Sequence, residues 1–271
     1  MAWKDLLILL LVAMVCCSVG FHDYVWFMSI GYGLAAAGLG ITDLIIQFFS
    51  GNVTPLNIVL SVLLIAYGFR LSGFLLYREM KNASYRKTLH QVEKDTTGGH
   101  QMSAGVKCAL WISVAVLYVA ESCPVFYRIY NHSNDSLFGW ISAGISLFGV
   151  IFEAVADFQK SAQKKTAPHS PAMKGLYRIV RCPNYLGEII FWTGIFLSGC
   201  SVFNRAGQWV LALAGYILIL YVMFSGAKRL EKRQEKNYGN DPVYQKYSDT
   251  TPILIPFIPL YHLIPVKRHE K

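Results

Sequence analysis

Residues 55–77, PLNIVLSVLLIAYGFRLSGFLLY, carry a single charged side chain, Arg70. A helix rises 1.5 Å per residue, so this stretch is long enough to cross the roughly 30 Å hydrocarbon core of a bilayer. Six more apolar windows flank it, near 6–21, 24–49, 105–123, 137–158, 186–202 and 207–226. The fold they predict is all-α, a polytopic transmembrane helical bundle of about seven spans, with one membrane domain over 1–271 and a C-terminal tail beyond the last span. Composition agrees: the chain is 54% hydrophobic and 15% charged, against roughly 25% charged in soluble domains. The mean hydropathy is +0.38, which excludes a disordered or ordinary soluble chain. Six Cys in 271 residues, with Cys16 and Cys17 adjacent, exclude a disulfide scaffold. The window at 6–21 is short and begins beside Lys4 and Asp5, so a signal sequence competes with a retained span there. The absence of a clear small-x-small site after it favours the span.

The net charge of +9 is unevenly placed. Segment 78–104 holds Arg78, Lys81, Arg86, Lys87 and Lys94, segment 159–185 another basic group, and the tail from Lys228 the largest. The alternating loops at 124–136 and 203–206 hold only Arg128 and Arg205. This alternation is what the positive-inside rule produces, and it places the basic loops and the C-terminus in the cytosol and the N-terminus on the far side. The charge therefore reports topology and contact with anionic lipid, and no nucleic-acid module interleaves with it. The membrane is the endoplasmic reticulum in a eukaryote and the inner or plasma membrane in a bacterium. Segment 79–103, with a turn signal at Thr96-Thr97-Gly98-Gly99, reads as a cytosolic connection. Residues 228–236 extend the last helix into water until Gly239, Asp241 and Pro242 break it. The segment from Pro252 to Pro265 holds four prolines and packs at the interface or against the cytosolic end of the bundle.

Polar residues in an apolar frame are expensive and mark function. Glu153 and Asp157 stand four apart and share a helical face, with Gln159 and Lys160 next. Then comes Gly175-Leu-Tyr-Arg-Ile-Val-Arg-Cys-Pro-Asn-Tyr-Leu-Gly-Glu188, which concentrates two guanidinium groups, an amide, aromatic rings and a carboxylate at the entrance to the sixth span. Arg offers forked donors that match phosphate oxygens, Asn both donates and accepts, and Tyr can stack on a flat ring. Arg229, Glu231, Lys232, Arg233, Tyr238, Tyr244 and Tyr247 follow the last span. Converging on one membrane face, these groups predict a basic, aromatic-rimmed cavity suited to a phosphorylated dinucleotide.

Cys182-Pro-Asn-Tyr-Leu-Gly-Glu-Ile190, with Glu153-x-x-x-Asp157 upstream and Tyr244-x-x-Tyr247 before Leu254-Ile-Pro-Phe257, resembles the C-terminal half of the steroid 5-alpha-reductase superfamily, over about 150–260. It is especially similar to the microbial membrane branch, which carries Arg-x-x-Arg-His-Pro-Asn-Tyr-x-Gly-Glu. Cys182 stands where that branch has His, as it does in the steroid reductases. The resemblance implies an oxidoreductase that binds NADPH from the cytosol and reduces an activated carbon-carbon double bond, enone-like, of a steroid or other lipid. It implies that Asn184 and Glu188 surround the nicotinamide. Asp157, Lys160, Arg178, Arg181 and Tyr185 would hold ribose, phosphates or adenine, with Arg229 and Tyr238 closing the cavity. No Gly-x-Gly-x-x-Gly strand-turn-helix fingerprint occurs.

Hydride addition also needs an acid near the substrate carbonyl, a Tyr hydroxyl or a carboxyl of raised pKa. Tyr67-x-x-Arg70 resembles the Tyr-x-x-Arg of the steroid reductases, so Tyr67 and Glu188 are the catalytic candidates. A packing Tyr beside a snorkelling Arg is the competing reading. Asp43 and Gln47 lie in the second span, where Asp43 is a companion carboxyl or a structural partner, for instance of Arg70. His22, His132, His169 and His262 show no metal spacing, so no metal is expected, and Glu121 has no assigned role. Two other functions compete. One is an S-adenosylmethionine-dependent methyltransferase of lipid or isoprenylated substrates, which shares a similar Arg-His-Pro turn; the chain lacks its Glu-Glu doublet. The other is a transporter or receptor, whose charges would sit at the bilayer midplane.

Overall fold

The computed structural model describes residues 2–81, 86, 89, 91 and 102–266. The expected turn at 96–99, and Lys87 and Lys94, lie outside them. Among the described residues the elements are helices and no strand occurs. They are α1 (Ala2–Cys17), α2 (Ile30–Ser50), α3 (Pro55–Lys81), α4 (Ala104–Tyr130), α5 (Leu137–Thr166), α6 (Pro183–Cys200), α7 (Ala206–Tyr238) and α8 (Pro242–Thr250), with short 3-10 turns at Ser18–Phe21, Tyr24–Met28 and Gly175–Arg178. Six helices are long and apolar enough to cross a membrane, so the chain reads as an integral multi-pass membrane protein. The counterpart of the sixth expected span, α6, is helical but is not one of those six. Its first turns carry Asn184 and Glu188.

Several boundaries differ from the sequence expectation for identifiable reasons. The window at 24–49 is broken: Asp23 accepts from the Val25 amide at 2.9 Å and starts a 3-10 turn ahead of α2. The fourth span does not stop at 123. Pro124 lies inside α4, where a proline removes the N–H that would bond the carbonyl four residues back. The Cys123 thiol donates to that carbonyl, of Ala120, at 3.2 Å, a side-chain substitution of the kind membrane helices tolerate. Helix α5 outruns its apolar window by about two turns, whereas α7 continues through the charged stretch to Tyr238 as expected, and α8 starts where Asp241 caps the Val243 amide at 2.9 Å and Pro242 takes the first helical position.

The chain forms two compact units, Met1–Ala143 with Ile195–Tyr216, and Gly144–Gly194 with Ile217–Lys271. In the first, α2 and α3 form an antiparallel pair joined through Gly51, whose φ of 71° ends α2 in the left-handed region. Their backbones nearly touch. A Cβ on Gly33 would lie 2.6 Å from the Gly68 carbonyl oxygen, and one on Gly40 2.7 Å from that of Ser61, the small-residue contact of membrane helices. Arg128 is fully buried and donates through Nε to Asn57 Oδ1 at 3.1 Å, through Nη1 to the Ser198 carbonyl at 2.9 Å and through Nη2 to the Asn134 carbonyl at 3.0 Å. That hub ties α3, α4 and the end of α6 together.

In the second unit, Val180, Cys182, Leu186, Ala227, Leu230, Ile253 and Leu254 form one apolar core. The proline-bearing segment after α8 therefore packs against the helices, on the second of the two expectations for it. Its carbonyls at Pro252 and Ile253 accept from the amides of Arg181 and Cys182, each at 2.9 Å.

Candidate functional site

The second unit holds every sequence-predicted site residue except Tyr67. Its frame is set by the crossing of α5 and α6. A Cβ on Gly187 would fall 2.7 Å from Glu153 Cβ, and one on Gly149 2.7 Å from Phe191 Cα. Two absent side chains thus let Glu153 lie against the turn carrying Glu188. Glu153, Asp157 and Glu188 are all buried, and Lys160, one turn beyond Asp157 and Ala156, is half-buried.

The loop from α5 to α6 is pinned by Gln159, which the sequence marks beside Asp157, and by Gln163, which no sequence pattern singles out. Gln163 Oε1 accepts from the amides of Met173 and Lys174 at 3.0 and 2.9 Å, and Gln159 Oε1 from that of Leu176 at 2.8 Å. Gly175 has φ 69°, and a Cβ there would run into the Gln159 carboxamide. Next to it, a groove of about 240 Å³ is lined by Phe158, Gln159, Ala162, Gln163, Lys174 and Gly175. Tyr177 is buried and its carbonyl accepts from the Tyr247 hydroxyl at 2.6 Å. Burial pushes both phenols up.

Arg181 is 1% exposed. Its Nη2 donates to Glu231 Oε1 at 2.7 Å and to the Tyr261 carbonyl. The same Glu231 oxygen meets His262 Nδ1 at 2.9 Å, its other oxygen accepts from the Leu263 amide at 2.8 Å, and His262 Nε2 meets Asp249 Oδ1 at 3.0 Å. Glu231 thus gathers a guanidinium, an imidazole and an amide. His262, singled out in the sequence only for its lack of metal-ligand spacing, is a bridge between two carboxylates. Only its distance in sequence from Glu231 hid this. Burial pushes the Cys182 thiol up to about 12, against the lowering influence of Lys160 and Arg181. It likewise pushes the Tyr244 phenol up to about 12.

The remaining predicted residues separate by exposure. Arg178 and Arg229 are exposed, while Asn184 and Tyr185 are half-buried. Tyr185 lies over Gly226 of α7, where an added Cβ would be 3.2 Å from its ring, and it feels the charges of Glu188, Arg229 and Arg233. Tyr238 receives a hydrogen bond from Lys164 Nζ at 3.0 Å, and the same ammonium sits 5.4 Å from its ring centroid. The Tyr244 hydroxyl lies against the Arg181 guanidinium, while among the described residues Asn184 Oδ1 is a buried polar atom with no hydrogen-bond partner. Such atoms are rare in folded proteins and call for a ligand or ordered water. In the first unit, Tyr67 is fully buried and donates to the Tyr32 hydroxyl at 3.1 Å. Among the described residues no group of three His, Cys, Asp or Glu is placed to hold a metal ion.

The arrangement defines a helical membrane protein with a basic polar site at one end of its second unit. The chain belongs to the family described as protein of unknown function (DUF1295), whose model matches residues 17–251. No curated protein and no solved structure matches the chain.

Proposed function

We propose that the chain is an NADPH-dependent oxidoreductase that reduces an activated carbon-carbon double bond of a steroid or other lipid, and that its second unit holds the nucleotide on the cytosolic side. The observation that carries this reading is the unpartnered Oδ1 of Asn184, beside the buried Arg181 and Glu188, in the stretch that resembles the steroid 5-alpha-reductases. The family is in general terms related to such membrane proteins.

The residues fit the ligand chemically. Asn184 Oδ1 is an acceptor matched to a carboxamide N–H, and Glu188 sits one turn further along the same face of α6. Arg178 and Arg229 are free of the buried network and supply the forked donors that phosphates require. Lys160 and Asp157 line the α5 side, where Asp157 can accept from ribose hydroxyls, and Tyr185 offers a ring face. NADPH, when bound, supplies the hydride. The chain's part is to orient the ring, exclude water and hold a proton for the substrate, for which Glu188 is the candidate donor within the second unit.

Calorimetric titration of the purified protein with NADPH and, separately, with S-adenosylmethionine tests the reading. NADPH binding is expected, with affinity reduced about tenfold in Asn184→Ala, the value of one good hydrogen bond. Binding of S-adenosylmethionine without NADPH binding would replace this reading with the methyltransferase.

A further inference from the structure

In the first unit, apart from the residues of the proposed nucleotide site, α2 buries an aspartate and a glutamine one turn apart. Asp43 is 1% and Gln47 0% exposed. Neither carboxylate oxygen of Asp43 and neither terminal atom of the Gln47 amide has a hydrogen-bond partner among the described residues. On α3, Asn57 is equally buried, and its Nδ2 also has none.

The register of the α2–α3 pair puts these groups together. Gly33 meets Gly68 and Ser72, and Gly40 meets Ser61. The antiparallel helices therefore set Asp43 level with Ser61, and Gln47 level with Asn57. The same register excludes the expected pairing of Asp43 with Arg70. Arg70 lies at the level of Gly33, some 15 Å along the helix at 1.5 Å per residue. Asn57 turns its oxygen to Arg128 Nε at 3.1 Å, which leaves its amide nitrogen as the group without a partner. On α4, Cys123 is close enough to Asp43 to feel its charge, while its own thiol is committed to Ala120.

Ionised, a carboxylate cannot be held in such surroundings alone. Its potential counter-charges are accounted for. From α4 it is faced by Cys123, with Tyr127 and Glu121 on the neighbouring turns, and Arg128 is engaged by Asn57, by backbone carbonyls and by the charge of Asp135. On α1, which passes Gly38 at Val12 and Cys16, the charged residues are Lys4 and Asp5, two turns beyond Val12. From α3, no ionisable group stands at this level.

We propose that Asp43, Gln47 and Asn57 form an intramembrane binding site for a hydrated sodium ion. The Asp43 carboxylate and the Gln47 carbonyl supply hard oxygen ligands, and the Asn57 amide donates to a water on the ion. The proposal is independent of the reductase reading.

Thermal unfolding of the full chain in lipid nanodiscs, in sodium chloride and in choline chloride across pH, is the test. The wild-type midpoint is expected to rise with sodium, and the near-isosteric Asp43→Asn to lose that response. A response to falling pH without one to sodium shows a carboxyl that is merely protonated and overturns the proposal, as do equal sodium responses in the two proteins, or none in wild type. Should Asp43→Asn not fold, wild type decides through dicyclohexylcarbodiimide, which adds to a protonated carboxyl without loss of atoms and is located by mass spectrometry. Labelling at Asp43 is expected to slow about tenfold with sodium at ten times its Kd, by simple occupancy. Absence of labelling, or a rate indifferent to sodium, overturns the site.

Discussion

Glu231 serves three groups from one buried carboxylate, Arg181 from the loop before α6 and the adjacent His262 and Leu263 from the tail. Removing one partner of a buried pair typically costs 3–5 kcal/mol because the other charge is stranded. Glu231→Ala is therefore expected to lower stability by about that amount, and His262→Ala by less because His262 is partly exposed, as read by chemical denaturation in detergent. Cys182 adds a pH dependence whose sign is fixed. Its folded pKa, about 12, lies above the roughly 8.5 of an unfolded thiol, so its contribution is complete below that lower value and is lost as pH rises toward 12. The alkaline fall in Tm should be shallower in Cys182→Ala. Iodoacetamide at mildly alkaline pH should label exposed Cys108 and leave Cys182 intact. Residue types at the site were readable from sequence because Arg, Asn and carboxylates in an apolar frame are anomalous. Their partners were not. The Glu231–His262–Asp249 chain spans residues whose spacing carries no periodic signal, and it is closed by a turn that only folding creates.

At the scale of elements, the apolar windows found the helices because lipid imposes a length and a polarity that leave few alternatives. Their ends were less readable. Charged turns continue α5 beyond its apolar stretch, and Pro124, which reads as a terminator, is absorbed by the Cys123 thiol; only for α7 was the charged extension readable. Cys123→Ala is accordingly expected to destabilise by about 1 kcal/mol, the net value of one hydrogen bond, with its effect on hydrogen exchange concentrated around Ala120. The crossings make a stronger prediction. Gly68→Val has no room against Gly33 and Ala37, whereas Gly73→Val meets nothing within 4 Å. The first should lower the thermal midpoint sharply and the second should leave it near wild type, since overpacking costs 1–3 kcal/mol or more.

For the whole molecule, the alternation of basic loops yields a topology that can be checked directly. With the native cysteines replaced, single cysteines at Lys174 and Arg205 should be labelled by a membrane-impermeant maleimide from opposite sides of sealed vesicles. Labelling of both from one side would reverse one span and invalidate the proposed cytosolic site. The crossing of α5 and α6 sets a further limit on traffic. Where Gly149 and Gly187 stand, main chain rests on main chain with no side chain to swing aside. This seam is a welded joint, impassable to an acyl tail or a flat polycyclic guest drifting in the bilayer, so any lateral portal into the second unit must open along a different pair of helices.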